Sequence, residues 1–215
     1  VPIYDQIFAK VYDPFFAAAE RDGLGQKRKD LLAQASGRVI EIGAGTGLNL
    51  EHFPSTLEKV VLSEPSEPMA AKLRDRAAAA PFECEVVIAP AEKLPFDDDS
   101  FDTAICTLVL CTVPDPEAAL AEISRVLAPG GRLLLLEHVR NADAKSAKWQ
   151  DRLETPWRLF GNGCYCNRDT EANVKAAGFA LDDLDHGTLP HFPPIARPLI
   201  VGVGRQPIAN GQTSP

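Results

Sequence analysis

The sequence predicts an α/β fold of Rossmann-like type. The expected sheet has seven mostly parallel strands, with helices on both faces and an antiparallel hairpin at its end. Three observations carry this. An apolar run, Val39-Ile40-Glu41-Ile42, breaks into a glycine-spaced loop at Gly43, Gly45 and Gly47. A second apolar run, Val60-Val61-Leu62-Ser63, ends in the single acid Glu64. Strand-like and helix-like patterns then alternate up to residue 137, which implies parallel strands joined by crossover helices. Glycines let the backbone approach a ligand where a Cβ would collide, and an acid closing the second strand is placed for ribose hydroxyls. The pattern therefore points to an adenosine-containing cofactor bound beyond the carboxyl ends of the strands.

Taken in order, residues 3–20 read as a helix with Ile3, Ile7, Phe8, Val11, Phe15 and Phe16 on its apolar side, interrupted near Pro14. A second helix at 25–35 stops at Gly37; residues 1–36 together are expected to form a lid. A strand at 38–42, the glycine loop and a helix starting near 46 follow. Next come a strand at 59–63, an Ala-rich helix at 67–79 that Ser66 is placed to cap, and a strand at 83–88. A strand at 101–106, a helix at 116–127 and a strand at 131–137 after Pro129-Gly130-Gly131 complete the alternation. Residues 143–166 are too aromatic for a solvated linker and read as an insertion over the ligand edge. A helix at 169–177 and strands at 179–186 and 196–204 supply the hairpin. The whole is one domain over 1–205, and the polar stretch 206–215 is expected to be disordered.

At 215 residues the chain suits one domain. A net charge of -8 sets nucleic acid aside as a partner, since phosphate binding draws on Lys and Arg. No apolar run reaches the roughly 18 residues of a membrane span. Five cysteines without regular spacing fit reduced thiols and a cytoplasmic location. Val1 is read as lying downstream of the native start. The expected partner is a small molecule, met by a monomer or homodimer.

The dinucleotide spacing G-x-G-x-x-G is not met, because Leu48 follows Gly47. The order E-x-G-x-G-x-G instead resembles the first motif of class I methyltransferases that use S-adenosylmethionine (SAM). That resemblance implies SAM as cofactor and S-adenosylhomocysteine as product. A carboxylate in the loop suits a cationic methionine moiety. The implied cofactor contacts are Glu41, Gly43, Ala44 and Gly45, then Glu64. Ala91 and Glu92 follow in A-P-A-E-K-L-P-F (89–96), and Cys106, Thr107 and Leu108 close strand 4. His138, at the end of strand 5, is the candidate catalytic base, with a structural role equally open. Tyr4, Tyr12, Trp149, Trp157, Phe160 and Tyr165 are the candidate acceptor-binding residues. No metal is expected. Asp97 to Asp99 read as a solvated turn, and a lone C-x-C at Cys164 and Cys166 falls short of a zinc site. Cys106 and Cys111 read as buried, inert thiols.

A closer resemblance covers roughly 104–204. C-T-L-V-L-C-x-V (106–113), R-V-L-x-P-G-G (125–131), E-H-V (137–139) and W-Q-x-x-L (149–153) are similar to the thiol S-methyltransferase family. So are Trp157, Gly163-Cys164, Arg168 and Arg197-Pro198. The resemblance implies methylation of hydrogen sulfide and small alkyl or drug thiols. O-, N- or C-methylation of a quinone, phenol, lipid or other small metabolite is the alternative. The N-terminal membrane anchor of the vertebrate members is not matched, so membrane attachment is not expected.

Overall fold

The computed structural model describes residues 3–207, so most of the tail expected to be disordered lies outside the described residues. Within them the strands are β1 (Val39–Ile42), β2 (Lys59–Ser63), β3 (Glu83–Val87), β4 (Phe101–Thr107), β5 (Leu127–His138), β6 (Ala180–Thr188) and β7 (Pro198–Arg205). They form one sheet in the order β3-β2-β1-β4-β5-β7-β6. β3, β2, β1, β4 and β5 run parallel, and β7 joins β5 and β6 antiparallel, as the terminal hairpin requires.

The helices are α1 (Ile3–Ala19), α2 (Gly25–Leu32), α3 (Glu67–Ala77), α4 (Pro116–Val126), α5 (Ala144–Phe160) and α6 (Thr170–Ala176). Every residue of β1 is buried, as expected of a central parallel strand covered on both faces. Alternate residues divide the core. Val39, Val60, Leu62, Ile105, Leu134 and Leu136 pack on one face with Phe16, Leu32 and Leu73. Ile40, Val61, Ala104, Leu133 and Leu135 pack on the other with Leu120, Ile123 and Val174. Asp115, Asp143 and Asp169 cap α4, α5 and α6 through backbone N–H groups of the first turn.

Three local expectations are corrected. No α-helix follows the glycine loop; only a single 3-10 turn, Leu50–His52, forms there. Phe53 is extended (ψ 143°) ahead of Pro54, which disfavours helical geometry in the residue before it. Pro14 does not interrupt α1, which runs through it; Pro14 and Lys10 are both exposed, so water can take the carbonyl that loses its donor. The break comes at Asp22 and Gly23, where φ reaches 128° at the glycine. Ser66 makes no capping side-chain bond at α3; its backbone N–H donates to Glu64.

Candidate active site

The loops at the carboxyl ends of β1, β2 and β4 meet α1 and α5 around a cavity of about 620 Å³. Its walls bring together twelve of the residues singled out from the sequence: Tyr4, Tyr12, Gly43, Gly45, Glu64, Ala91, Glu92, Thr107, Leu108, His138, Trp157 and Phe160. Glu41 and Ala44 lie in an adjoining recess under the glycine loop, which shares Tyr12, Gly43, Gly45 and Thr107 with the main cavity. Three candidates are elsewhere. Cys106 is fully buried with the apolar residues of β4. Trp149 is 56% exposed, with Arg152 over its ring, about two turns of α5 before Trp157, which lines the cavity. Tyr165 turns outward between the guanidinium groups of Arg158 and Arg168.

The glycine loop is shaped by what a side chain would strike. A Cβ on Gly43 (φ +61°) would come within 2.8 Å of Val109. At Gly45 (φ +60°) the nearest atom, on Met69, would be 3.7 Å away. The space in front of Gly45 is thus open for a ligand to press against the backbone. Glu64 sits opposite. One carboxylate oxygen accepts from Gly45 N–H at 2.9 Å and the other from Ser66 N–H at 2.8 Å. Burial pushes its pKa up against the pull of those two donors.

Beneath the loop lies a polar network that spacing along the chain did not reveal. Arg28, 2% exposed, donates through Nε to Glu20 and through Nη1 to Asn49 Oδ1 at 2.8 Å and Thr107 Oγ1 at 3.1 Å. Asn49 Nδ2 in turn donates to Glu41 Oε1 at 2.8 Å and to Thr107 Oγ1 at 2.9 Å. The second oxygen of Glu41 is buried without a partner among the described residues. Burial lifts the Glu41 pKa to about 7, opposed by Asn49 and Arg28. An unpartnered carboxylate oxygen and an open backbone cradle are the features a SAM methionine moiety and ribose would meet, so the residues present fit SAM.

The opposite wall is built from the ends of β4 and β5 and the loop after α5. Leu108 holds φ +60°, uncommon for a residue with a side chain and typical of functional turns. Glu137 Oε1 accepts from Val109 N–H and Leu110 N–H at 2.8 and 3.0 Å, fixing that turn. Burial raises the Glu137 pKa to about 7 against those donors. Glu92, expected near an adenine amine, accepts from Asp115 N–H at 3.3 Å. His138 Nε2 lies against Cys164 Sγ, which also accepts from Trp157 Nε1 at 3.3 Å and stands 3.9 Å from Cys111 Sγ. The hydrogen bond with Cys111, joined by His138 and against the effect of burial, lowers the Cys164 pKa to about 5. At His138 burial favours the neutral ring, but Cys164 and Glu137 outweigh it and raise the pKa.

One expected outcome follows for the ribose side. Hydrogen bonds to a charged group contribute roughly 1.5–3 kcal/mol, so Glu64→Ala should weaken SAM binding about tenfold to a hundredfold. Calorimetric titration measures it, and unchanged affinity would contradict the role of Glu64.

Residues 40–135 match the model of a methyltransferase domain. Human thiol S-methyltransferase TMT1B is 33% identical over 192 residues, covering 81% of this chain and 78% of its own length. The ubiquinone/menaquinone biosynthesis C-methyltransferase UbiE of Pseudomonas fluorescens is 38% identical over 123 residues, covering 55% of this chain and 48% of its own. Among solved structures, a SAM-dependent methyltransferase of Thermotoga maritima superposes with a TM-score of 0.66 at 25% identity, over 94% of this chain and 97% of that one. No helix among the described residues is long and apolar enough to cross a membrane. With the sheet order, the glycine loop and Glu64 in place, the chain belongs to the SAM-dependent methyltransferases, in the family that contains the thiol S-methyltransferases.

Proposed function

We propose that this methyltransferase acts on small thiols. The observation that carries the reading is the cavity itself. One continuous space joins the glycine loop and Glu64 to a chamber walled by Phe8, Tyr12, Phe15, Trp157 and Phe160, with Cys111, His138 and Cys164 in its wall. Such walls suit a small apolar acceptor presenting a soft reacting atom. The likeness to human TMT1B extends over 81% of this chain, whereas the UbiE match covers only 55%.

When bound, SAM supplies a methyl group already activated on a sulfonium sulfur. The chain's own residues then have to hold donor and acceptor in line and keep water out. Glu41, Gly43, Gly45, Glu64, Ala91 and Thr107 hold the donor side, and Trp157, Phe160 and Tyr12 bound the acceptor side. A thiol with pKa of about 8.5 is a few per cent thiolate at neutral pH, so little help is needed to ionise it.

α1 and α5 close the chamber. The Tyr4 hydroxyl donates to Leu159 O at 2.7 Å, and Phe15 packs edge-on to Phe160 with ring centroids 6.2 Å apart. Asp13 accepts from Thr46 Oγ1 and Arg76, tying the same helix to the glycine loop and α3. Phe16 and Ala19 are buried in the core, so a chain lacking residues 1–11 keeps them. It should retain its fold by circular dichroism and lose at least about tenfold in turnover, within the range that alignment and water exclusion supply. Normal turnover in that chain would overturn the lid.

The reading is tested by following S-adenosylhomocysteine release with an alkyl thiol, a phenol, a quinone and an amine offered separately. Turnover with the thiol well above the others is expected, and turnover confined to the quinone or phenol would refute it.

A further inference from the structure

We propose that Cys111, His138 and Cys164 form a zinc site that holds the acceptor sulfur, a role that rests on the thiol reading above. The three come from separate elements: the turn after β4, the end of β5 and the loop after α5. All are buried and all line the cavity. One ligating atom from each lies within 4.8 Å of the others. The two sulfurs are 3.9 Å apart, whereas two zinc–sulfur bonds of about 2.3 Å at a tetrahedral angle place them roughly 3.8 Å apart. His138 turns Nε2 toward Cys164 Sγ, so this nitrogen would take the metal.

The donor set selects the metal. Two thiolates and an imidazole suit zinc, whereas magnesium and calcium take oxygen ligands. Three protein ligands leave one tetrahedral position open, the arrangement of catalytic rather than structural zinc. The surroundings hold the two cysteines in place. Trp157 Nε1–H donates to Cys164 Sγ. Arg168 Nη1 donates to Leu110 O and Val113 O at 2.6 and 2.7 Å, and Tyr165 N–H donates to Cys111 O at 2.8 Å. The aromatic chamber supplies a dry approach to the open position.

The step balances without a redox partner. The acceptor thiol takes the open position as its S–H proton passes to water. Its sulfur lone pair forms the bond to the methyl carbon while the bond from that carbon to the sulfonium breaks. The product is a neutral thioether, a weak ligand that leaves the metal. In this account His138 holds metal instead of serving as a free base.

The test is metal analysis of the full chain, purified under reducing conditions from zinc-supplemented cells without chelator. Zinc close to one per chain is expected, lost in Cys164→Ser and Cys111→Ser and kept in Cys84→Ser, whose thiol lies on β3 away from the cavity. Calorimetry with SAM, which binds at the glycine loop, verifies that the variants are folded. Cobalt(II) added to zinc-free protein should give thiolate-to-metal charge-transfer bands that shift on adding methanethiol and not on adding phenol. Zinc absent from the protein together with no cobalt bands would overturn the site, whether five free thiols or a Cys111–Cys164 disulfide are then found. Cobalt bands that ignore methanethiol would overturn the acceptor-holding role. Thiol methylation by a chain that binds no metal would overturn the zinc site and leave the thiol reading standing.

Discussion

Arg28→Met should lower the unfolding free energy by about 3 kcal/mol, because it removes the only guanidinium in a buried network and strands its acceptors. Glu20 would keep some access to water, its side chain being 18% exposed, but Asn49 and Thr107 are buried. The loss is a large share of the 5–15 kcal/mol typical of a folded domain, so the variant should fold yet melt several degrees lower. SAM binding should weaken as well, since Asn49 positions Glu41 beneath the glycine loop. Glu20→Gln should cost less, because the desolvated guanidinium keeps Asn49 and Thr107. Urea unfolding of the three proteins measures this; equal midpoints for Arg28→Met and wild type would contradict the network.

Glu41→Gln should make the unliganded protein more stable at pH 8 and not at pH 5. Burial lifts the folded-state pKa of Glu41 to about 7, above its unfolded value. Between those two values the folded state binds more protons than the unfolded state, so stability falls as pH rises through the window and levels off above it. At one pKa unit per 1.36 kcal/mol, the cost at pH 8 is on the order of 3 kcal/mol, and glutamine removes it. Glu137 has its pKa raised to about 7 by burial too, so the diagnostic quantity is the difference between variant and wild type at each pH. The same substitution should weaken SAM binding, since the carboxylate facing the cationic ligand is gone. A site that sacrifices stability for a charged ligand is the expected trade-off. A variant less stable than wild type at pH 8 would contradict it.

How much of this was legible along the chain depends on distance in sequence. The alternation of Val39-Ile40-Glu41-Ile42, the glycine loop and Val60 to Glu64 reports on neighbours, and it led directly to the sheet and the cofactor edge. Arg28 and Asn49 carried no such signal. An arginine in a polar helix reads as solvated until Glu20, Asn49 and Thr107 are seen around it. The helix expected from about residue 46 failed because Phe53-Pro54 forces extended backbone about two turns after its start. Trp149 and Tyr165 were grouped with Trp157 and Phe160 by composition. About two turns of α5 separate Trp149 from Trp157, and paired arginines flank Tyr165. Cys164 was read beside Cys166 as a lone C-x-C, yet its partners are Cys111 and His138, brought to it only when β4, β5 and the loop after α5 converge. Cys166 Sγ, by contrast, points to Gln150 O.

The acceptor is the central claim, and one measurement bears on it most directly. The enzyme is incubated with methyl-labelled SAM and equal concentrations of an alkyl thiol, a phenol and a demethylated quinone, and the products are resolved by mass spectrometry. The account predicts label on the thiol sulfur, with the phenol and quinone unmodified. Label on the quinone carbon or phenol oxygen, with the thiol untouched, would contradict it.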